Sequence, residues 1–396
     1  MNLLSVKQNN CLTSSTEMIK ESLKKVQVHI EKERYRGFDP YDALKSPFFK
    51  LPFLRNNKLI RFSAQQLVKR LPFSIRPLLL VPKGYNPVTL GLSIKAYAYL
   101  YSSELEKKEK HLKKINFLVN ELKKLIPAGF SGACWGYDFD WEARYAKIPA
   151  YQPTVVATGI ITNALFIAYQ TTGHNESAKL IESSAKFVVN DLKRTYKDNT
   201  FSFSYSPFDQ QQVFNASMKG SRILVQAYSI NKNEEYKELA KQAVQFVISQ
   251  QKEDGSWGYS LASAGGWTDN YHTGYVLDCL EEYQKLTKDY SYSSNIENGY
   301  KFYINNFITD EGFPKFYHNN PFPIDCTSAA QTILTTLRFG DKEIAKSTAA
   351  WMSEYMQKKN GSFKFRKFKS YTITTSFMRW SDAWMFAALS NLKKYL

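Results

Sequence analysis

One turn recurs along this chain of 396 residues, and it limits the possible folds more than any other feature. It combines aromatics with glycine, or in the second copy with asparagine and serine: GACWGY at Gly132–Tyr137, NTFSFSY at Asn199–Tyr205, DGSWGY at Asp254–Tyr259, DEGF at Asp310–Phe313 and NGSFKF at Asn360–Phe365. Its spacing, roughly 50 to 70 residues, is the size of two helices with their connections. A hairpin of that size cannot bury its apolar face alone, so neighbouring hairpins must stack.

The hairpins can be counted. Apolar helices rich in small residues are predicted near 87–103, 153–172, 214–230, 270–287, 324–339 and 376–395. Amphipathic partners follow the first five, near 107–126, 175–196, 233–251, 292–308 and 341–358. In the second partner Ile181, Ala185, Val188, Val189 and Leu192 share one face, opposite Lys186, Asn190 and Lys193. The run Ile160–Ala168 is apolar nearly all round, as expected of a helix surrounded by protein. The sixth apolar helix has no partner after it. A helix at about 15–34, opened by Ser15 and Thr16 with Glu17 nearby, supplies one. Six inner and six outer helices then close into an all-α toroid. The expected division is an N-terminal helix and strap over 1–86 and the toroid over 87–396.

Composition agrees. Hydrophobic residues at 43% and charged residues at 22% are ordinary for a globular chain, and no run of 18 apolar residues suggests a spanning helix. Four cysteines without a CxxC pair read as reduced thiols, and the first residues lack a secretory layout. The expected location is the cytoplasm, peripheral to the inner membrane.

The net charge of +17 is unevenly placed. From Ala43 to Ser103 there is no acidic residue, while Lys45, Lys50, Arg55, Lys58, Arg61, Lys69, Arg70, Arg76, Lys83 and Lys95 all fall there. Prolines at 47, 52, 72, 77, 82 and 87 exclude one long helix. Two readings stand. The segment is an irregular strap whose aromatics pack on the toroid while its cations stay solvated, or a patch for an anionic membrane surface. No nucleic-acid-binding motif accompanies the charge, so no specific nucleic acid is expected.

Inner helices running in one direction bring their N-terminal ends, and the loops before them, to one mouth. Read in turn, those ends carry a polar and aromatic set. The first loop holds Trp135, Tyr137, Asp138, Asp140, Trp141, Glu142 and Arg144. Asn215 follows, then Trp267, Asp269, Tyr271, His272 and Tyr275, then Asp325, and finally Arg379, Trp380 and Asp382. Asp269 and His272 lie three apart, close enough for the carboxylate to orient the imidazole as a general base or simply to cap the helix. Tyr275 or Tyr271 is then the acid. Asp140 and Glu142 offer a carboxylate pair for glycosidic work, or a solvated loop neutralised by Arg144. Arg379 reads as a bidentate anion clamp or as the partner of Asp382. The tryptophans serve packing, or stack on sugar faces. Asp325, Cys326 and His272 lack regular zinc-ligand spacing. No phosphate loop, dinucleotide fingerprint or serine elbow is present. No metal or cofactor is expected.

From about residue 87 onward the chain resembles the six-hairpin (α/α)6 toroids. These include glycoside hydrolases, polysaccharide lyases, sugar epimerases and the terpenoid-cyclase/prenyltransferase group. Gln250–Trp257 (QQKEDGSW) resembles the glutamine–tryptophan repeat of squalene-type cyclases. The chain departs from the cyclases in lacking a DxDD acid motif, and from the prenyltransferases in lacking the histidine of an Asp-x-Cys…His set. Four segments, Arg36–Asp42 (RGFDPYD), Trp135–Tyr137, Asp269–Tyr275 (DNYHTGY) and Phe377–Trp380 (FMRW), resemble bacterial proteins encoded in surface-polysaccharide gene clusters. Some of that group carry an aminolevulinate-dehydratase label. Nothing here matches that β/α-barrel enzyme.

The resemblance implies a hydrolase, lyase or epimerase acting on an anionic or lipid-linked glycan. His272, Asp269, Tyr275, Asp140 and Glu142 would be catalytic. Trp135, Tyr137, Trp141, Arg144, Asn215, Trp267, Tyr271, Asp325, Arg379, Trp380 and Asp382 would hold substrate. Alternatives are a toroid handling a polyprenyl chain and a non-catalytic glycan-binding subunit of a polysaccharide-assembly complex.

Overall fold

A computed structural model describes the backbone of residues 3–142 and 147–396, and side chains from Ser15 onward within them. In chain order come α1 (Leu3–Lys32), then α2 (Pro52–Arg55) and α3 (Lys58–Arg70) within the strap. Helices then alternate: α4 (Pro87–Ser103), α5 (Lys108–Lys124), α6 (Val155–Thr172), α7 (Asn175–Asp191), α8 (Phe214–Asn231), α9 (Glu234–Ile248) and α10 (Asn270–Thr287). α11 (Ser293–Phe307), α12 (Cys326–Phe339), α13 (Lys342–Tyr355) and α14 (Trp384–Leu392) complete the set. The even-numbered helices from α4 to α14 each pack on the next, and α14 packs on α4, so the inner ring closes. The odd-numbered helices from α5 form the outer layer, and α1 packs against α13 and α14 where a sixth outer helix belongs.

Sheet is confined to the connections. β1 (Trp141–Glu142) pairs with β2 (Lys147–Ile148), β3 (Arg194–Lys197) with β4 (Thr200–Phe203), and β5 (Ile324–Asp325), β6 (Arg366–Lys367) and β7 (Thr372–Ile373) form an antiparallel triplet in that order. The β3–β4 hairpin corrects the predicted extent of the second outer helix. Helix α7 stops at Asp191, Leu192 is extended, and Arg194 pairs opposite Phe203 across a turn at Asp198, whose φ is 53°.

The recurring turn works as a staple. Trp135 Nε1 donates to the Leu122 carbonyl and Trp257 Nε1 to the Val247 carbonyl, each at 3.0 Å. Both indoles thus tie a turn to the outer helix before it. A Cβ on Gly299 would lie 2.6 Å from the Trp257 ring, so that glycine lets the indole seat on α11. Inner helices α6, α8, α10 and α12 end at Gly173, Lys232, Lys288 and Gly340, all left-handed, with the amide of each closing on the last helical turn. That repeated stop sends the chain outward within a few residues.

Two expectations change. α6 is, among the described residues, the one helix long and apolar enough to cross a membrane by length and composition, against an expectation of none. Its surroundings are its neighbours in the ring, and most of it is buried. The strap is less irregular than predicted, because the proline-free stretch between Pro52 and Pro72 leaves room for α3, capped by the Asn57 side chain on the Ile60 amide. Its cations are not all solvated either. Arg61 and Arg76 are buried.

Candidate active site

The N-terminal ends of the inner helices open on a cavity of about 250 Å³. Val156 and Ile160 come from α6, Tyr271, His272 and Tyr275 from α10, and Trp384 from α14. Arg379 and Trp380 lie on a π-helical turn, Met378–Ala383, that leads into α14. Such turns re-aim side chains and are frequent at functional sites. Loops before the inner helices add Tyr137, Phe139, Trp141, Tyr205, Tyr259 and Trp267, and the strap adds Tyr41. No carboxylate lines the cavity among the described residues.

Asp269 does two jobs at the start of α10. Its Oδ1 accepts the His272 amide at 2.9 Å, capping the helix, and its Oδ2 meets His272 Nδ1 at 2.8 Å. The carboxylate is fully buried while the imidazole keeps some exposure. With Nδ1 on Asp269, the ring is fixed and Nε2 has no hydrogen-bond partner among the described residues. Aromatic rings surround it: Tyr271 at 4.1 Å between centroids, Tyr259 at 4.8 Å and Trp267 at 5.5 Å. Tyr259 and Trp267 are themselves stacked at 4.6 Å and 11°. Tyr137 stacks on Phe139, and Tyr275 on Trp384. The result is a slot of aromatic faces with one imidazole edge in it.

The other acids of the mouth are already spoken for, three of them by the strap. Arg61 Nε meets Glu142 at 3.0 Å and its Nη2 meets Asp140 at 3.3 Å. Gln65, one turn along α3, donates to the Asp140 carbonyl and accepts the Glu142 amide. Lys45 and Asn86 hold Asp138. Asp140 and Glu142 are therefore anchors for the β1 loop and do not form a pair facing substrate. Asp325 caps α12 and binds Arg366 at 2.5 Å. Asp382 turns away, accepting the Phe363 amide and the Ser376 hydroxyl.

Arg379 is not paired with Asp382. It forms a two-point bond to buried Asp39, at 2.6 and 2.9 Å, so it cannot act as a free anion clamp. Burial works against its charge, and Asp39 more than restores it. Trp135 is a fully buried staple, and Asn215 is buried in the first turn of α8, outside the cavity. Arg144 lies outside the described residues.

Tyr41 is the site residue that the mouth argument missed, because it lies outside the toroid helices. It sits in the RGFDPYD segment, whose resemblance was the sequence signal nearest to it. Its hydroxyl is 2.6 Å from Lys69 Nζ, on the same face of α3 as Arg61 and Gln65. Burial would raise this phenol, but Lys69 together with the Arg366 and Arg379 guanidiniums draws it below the ordinary tyrosine range. Tyr271 and Tyr275 go the other way, pushed well above it by burial, which suits them to donating hydrogen bonds rather than releasing protons. Burial also lifts the Cys326 thiol well above its usual range, so it is not a ready thiolate ligand.

A roomier cleft, about 390 Å³, lies between α1 and α5. Its Glu104 binds His111 at 2.8 Å and also Lys393, a mutual pairing that ties the chain end to the ring. The mouth, with its unpartnered imidazole nitrogen, is the better candidate.

Comparison of the sequence with protein-family models and with curated proteins gives no significant match. Comparison of structures does. An unsaturated glucuronyl hydrolase specific for heparin matches with a TM-score of 0.61 at 14% identity, covering 96% of each chain. Cellobiose 2-epimerase from Bacillus thermoamylovorans matches at 0.58 and 12%, covering 78% of this chain and 88% of that one. A GH76 α-mannanase from Bacteroides thetaiotaomicron gives 0.55 and 14%, covering 77% and 86%. The fold is the (α/α)6 toroid. At these identities the likeness is one of architecture, and the chemistry rests on this chain's own residues.

Proposed function

We propose that the protein is a carbohydrate-active enzyme, a lyase or epimerase, that moves a proton at a sugar carbon. The observation that carries this is a single one: an imidazole oriented by Asp269 faces an aromatic slot that contains no carboxylate. Hydrolysis by the usual route needs two carboxyl groups flanking the bond, roughly 5 to 10 Å apart, and the acids of this mouth other than Asp269 are engaged by the strap, by Arg366, or by the Phe363 amide and Ser376 hydroxyl. In this reading His272 Nε2 takes the proton from carbon, and Tyr41, beside Lys69, delivers one to the oxygen that gains charge. Tyr271 and Tyr275 donate hydrogen bonds, and the Tyr259–Trp267 stack receives the apolar face of the ring. The solved structures that share the fold include enzymes named for their action on sugars, which supports the same class.

Arg379 is neutralised by Asp39, so the lining offers a sugar acid no free cation. That favours epimerisation of a neutral or lipid-linked glycan over elimination, which needs a carbon acidified by a uronic carboxylate. A polyprenyl substrate is the second reading, favoured by the aromatic walls. Against it stands the volume: about 250 Å³ is at the small end for ligand sites and too short for a long isoprenoid. Cys134, Cys279 and Cys326 are free and buried, in keeping with a cytoplasmic setting.

The test is turnover in D2O. Oligosaccharides with a reducing end or a uronic acid are incubated with the protein and followed by NMR. Deuterium entering at a ring carbon, or a new ring double bond, is the expected result. Cleavage with neither change overturns proton transfer in favour of hydrolysis.

A further inference from the structure

Helix α3 is amphipathic in the inverted sense. Arg61, Gln65 and Lys69 recur every four residues on the side that faces the protein, where they hold Glu142, the Asp140 carbonyl and the Tyr41 hydroxyl. The opposite side presents Leu59 at 74% exposure and Leu67 at 62%. A surface helix ordinarily buries its apolar side, so this one has its apolar side unpartnered.

The rest of the strap continues the pattern. Phe53, Phe73, Leu78 and Leu80 are all more than 60% exposed. Elsewhere among the described residues, exposed aliphatic and phenylalanine side chains are few and far apart in sequence, at Val28, Leu105, Phe117, Phe208 and Leu261. A concentration of this kind marks a surface made to be covered. The charges around it indicate what covers it. No acid occurs from Ala43 to Ser103, and the strap cations that are not engaged by carboxylates or Tyr41, namely Lys50, Arg55, Lys58 and Arg70, are all exposed.

We propose that the outer face of residues 48–80 is a membrane-docking surface for an anionic bilayer, with the leucine and phenylalanine side chains entering the lipid boundary and the four free cations meeting headgroup phosphates. Apolar insertion beside a basic rim is the usual composition of an interfacial anchor, and a surface rich in acidic phospholipid, as a cytoplasmic leaflet is, attracts such a rim. A second copy of this chain is a poorer occupant, because the same uncompensated charge would face itself. The inner side of the strap carries Tyr41 to the cavity, so docking would hold the mouth near lipid headgroups. The docking itself does not depend on the chemistry assigned there.

The test uses the full chain and vesicles, with no glycan present, so its result is separate from that of the turnover assay. Co-sedimentation is measured with phosphatidylcholine alone and with equal parts of phosphatidylcholine and phosphatidylglycerol, at low and physiological salt. The expected result is binding to the anionic vesicles only, weakened by salt. Leu59→Ser/Leu67→Ser/Leu78→Ser should lower it at least tenfold with an unchanged melting temperature, since all three are exposed. Lys50→Gln/Arg55→Gln/Lys58→Gln/Arg70→Gln should lower it to a similar extent, and decides the matter should the serine variant fold poorly. Three results overturn the proposal: no binding to anionic vesicles at low salt, binding that neither variant reduces, or a concentration-dependent dimer that the serine variant abolishes.

Discussion

Arg61→Met is the perturbation that most sharply probes how the mouth is built. Arg61 and Glu142 are each about 95% buried or more and meet at 3.0 Å. At an effective dielectric near 20 the pair attracts by about 4–5 kcal/mol, but each ion loses several kcal/mol of hydration on burial, so the intact pair is worth little net. Removing one partner is another matter. Glu142 would be left as an uncompensated buried carboxylate, at a cost of about 3–5 kcal/mol. Asp140, 40% exposed at its side chain and 3.3 Å away, adds less than about 1 kcal/mol. The assay is urea unfolding followed by tryptophan fluorescence, comparing Arg61→Met, Glu142→Gln and the double variant. The single arginine variant should lose about 3–5 kcal/mol, and the double variant should recover at least about 2 kcal/mol of it by removing the stranded charge. A loss below about 1 kcal/mol, or strictly additive effects, would refute the view that the strap's buried cations hold the β1 loop at the mouth.

Three further outcomes are expected. Gly340→Ala places a Cβ in open space at a φ of 96°, so its cost is purely conformational, about 1 kcal/mol by calorimetry; no change in melting temperature would contradict the left-handed stop. Burial draws Lys219 down to about 7, whereas in the unfolded chain it titrates near 10.5. Between those values the unfolded state holds the extra proton, so this lysine makes stability rise with pH, by up to ~1.4 kcal/mol per unit. Lys219→Met should therefore gain most over the parent below pH 7 and lose that advantage towards pH 10; parallel stability curves would count against it. Tyr41→Phe should lower kcat about 100-fold or more, and an unaltered kcat removes the phenol from proton delivery.

The ring of helices was legible because its signals are local. Apolar runs such as Ile160–Ala168 and the glycine–aromatic turns each report one hairpin, and stacking them requires little else. Within the mouth, His272 and Asp269 were legible for the same reason, since they share one helical turn. What could not be read were partners distant in sequence. Arg61 with Glu142, Arg379 with Asp39 and Lys69 with Tyr41 are chosen by how the strap folds over the toroid, which no periodicity encodes. Arg379 and Asp382 looked like a pair at helical spacing. The π-turn between them and the arrival of Asp39 sent them to opposite partners.

The central claim is that His272 acts as a base at a sugar carbon, and His272→Asn tests it most directly. The helix cap survives this change, because Asp269 Oδ1 holds the backbone amide of residue 272, so only the Oδ2–Nδ1 bond and the basic nitrogen are lost. Glycan turnover and melting temperature are measured on the same preparation. The account predicts a fall in rate of about 10²–10⁴-fold with a melting temperature close to the parent's. A folded His272→Asn protein that turns over glycan at the parent rate would contradict it.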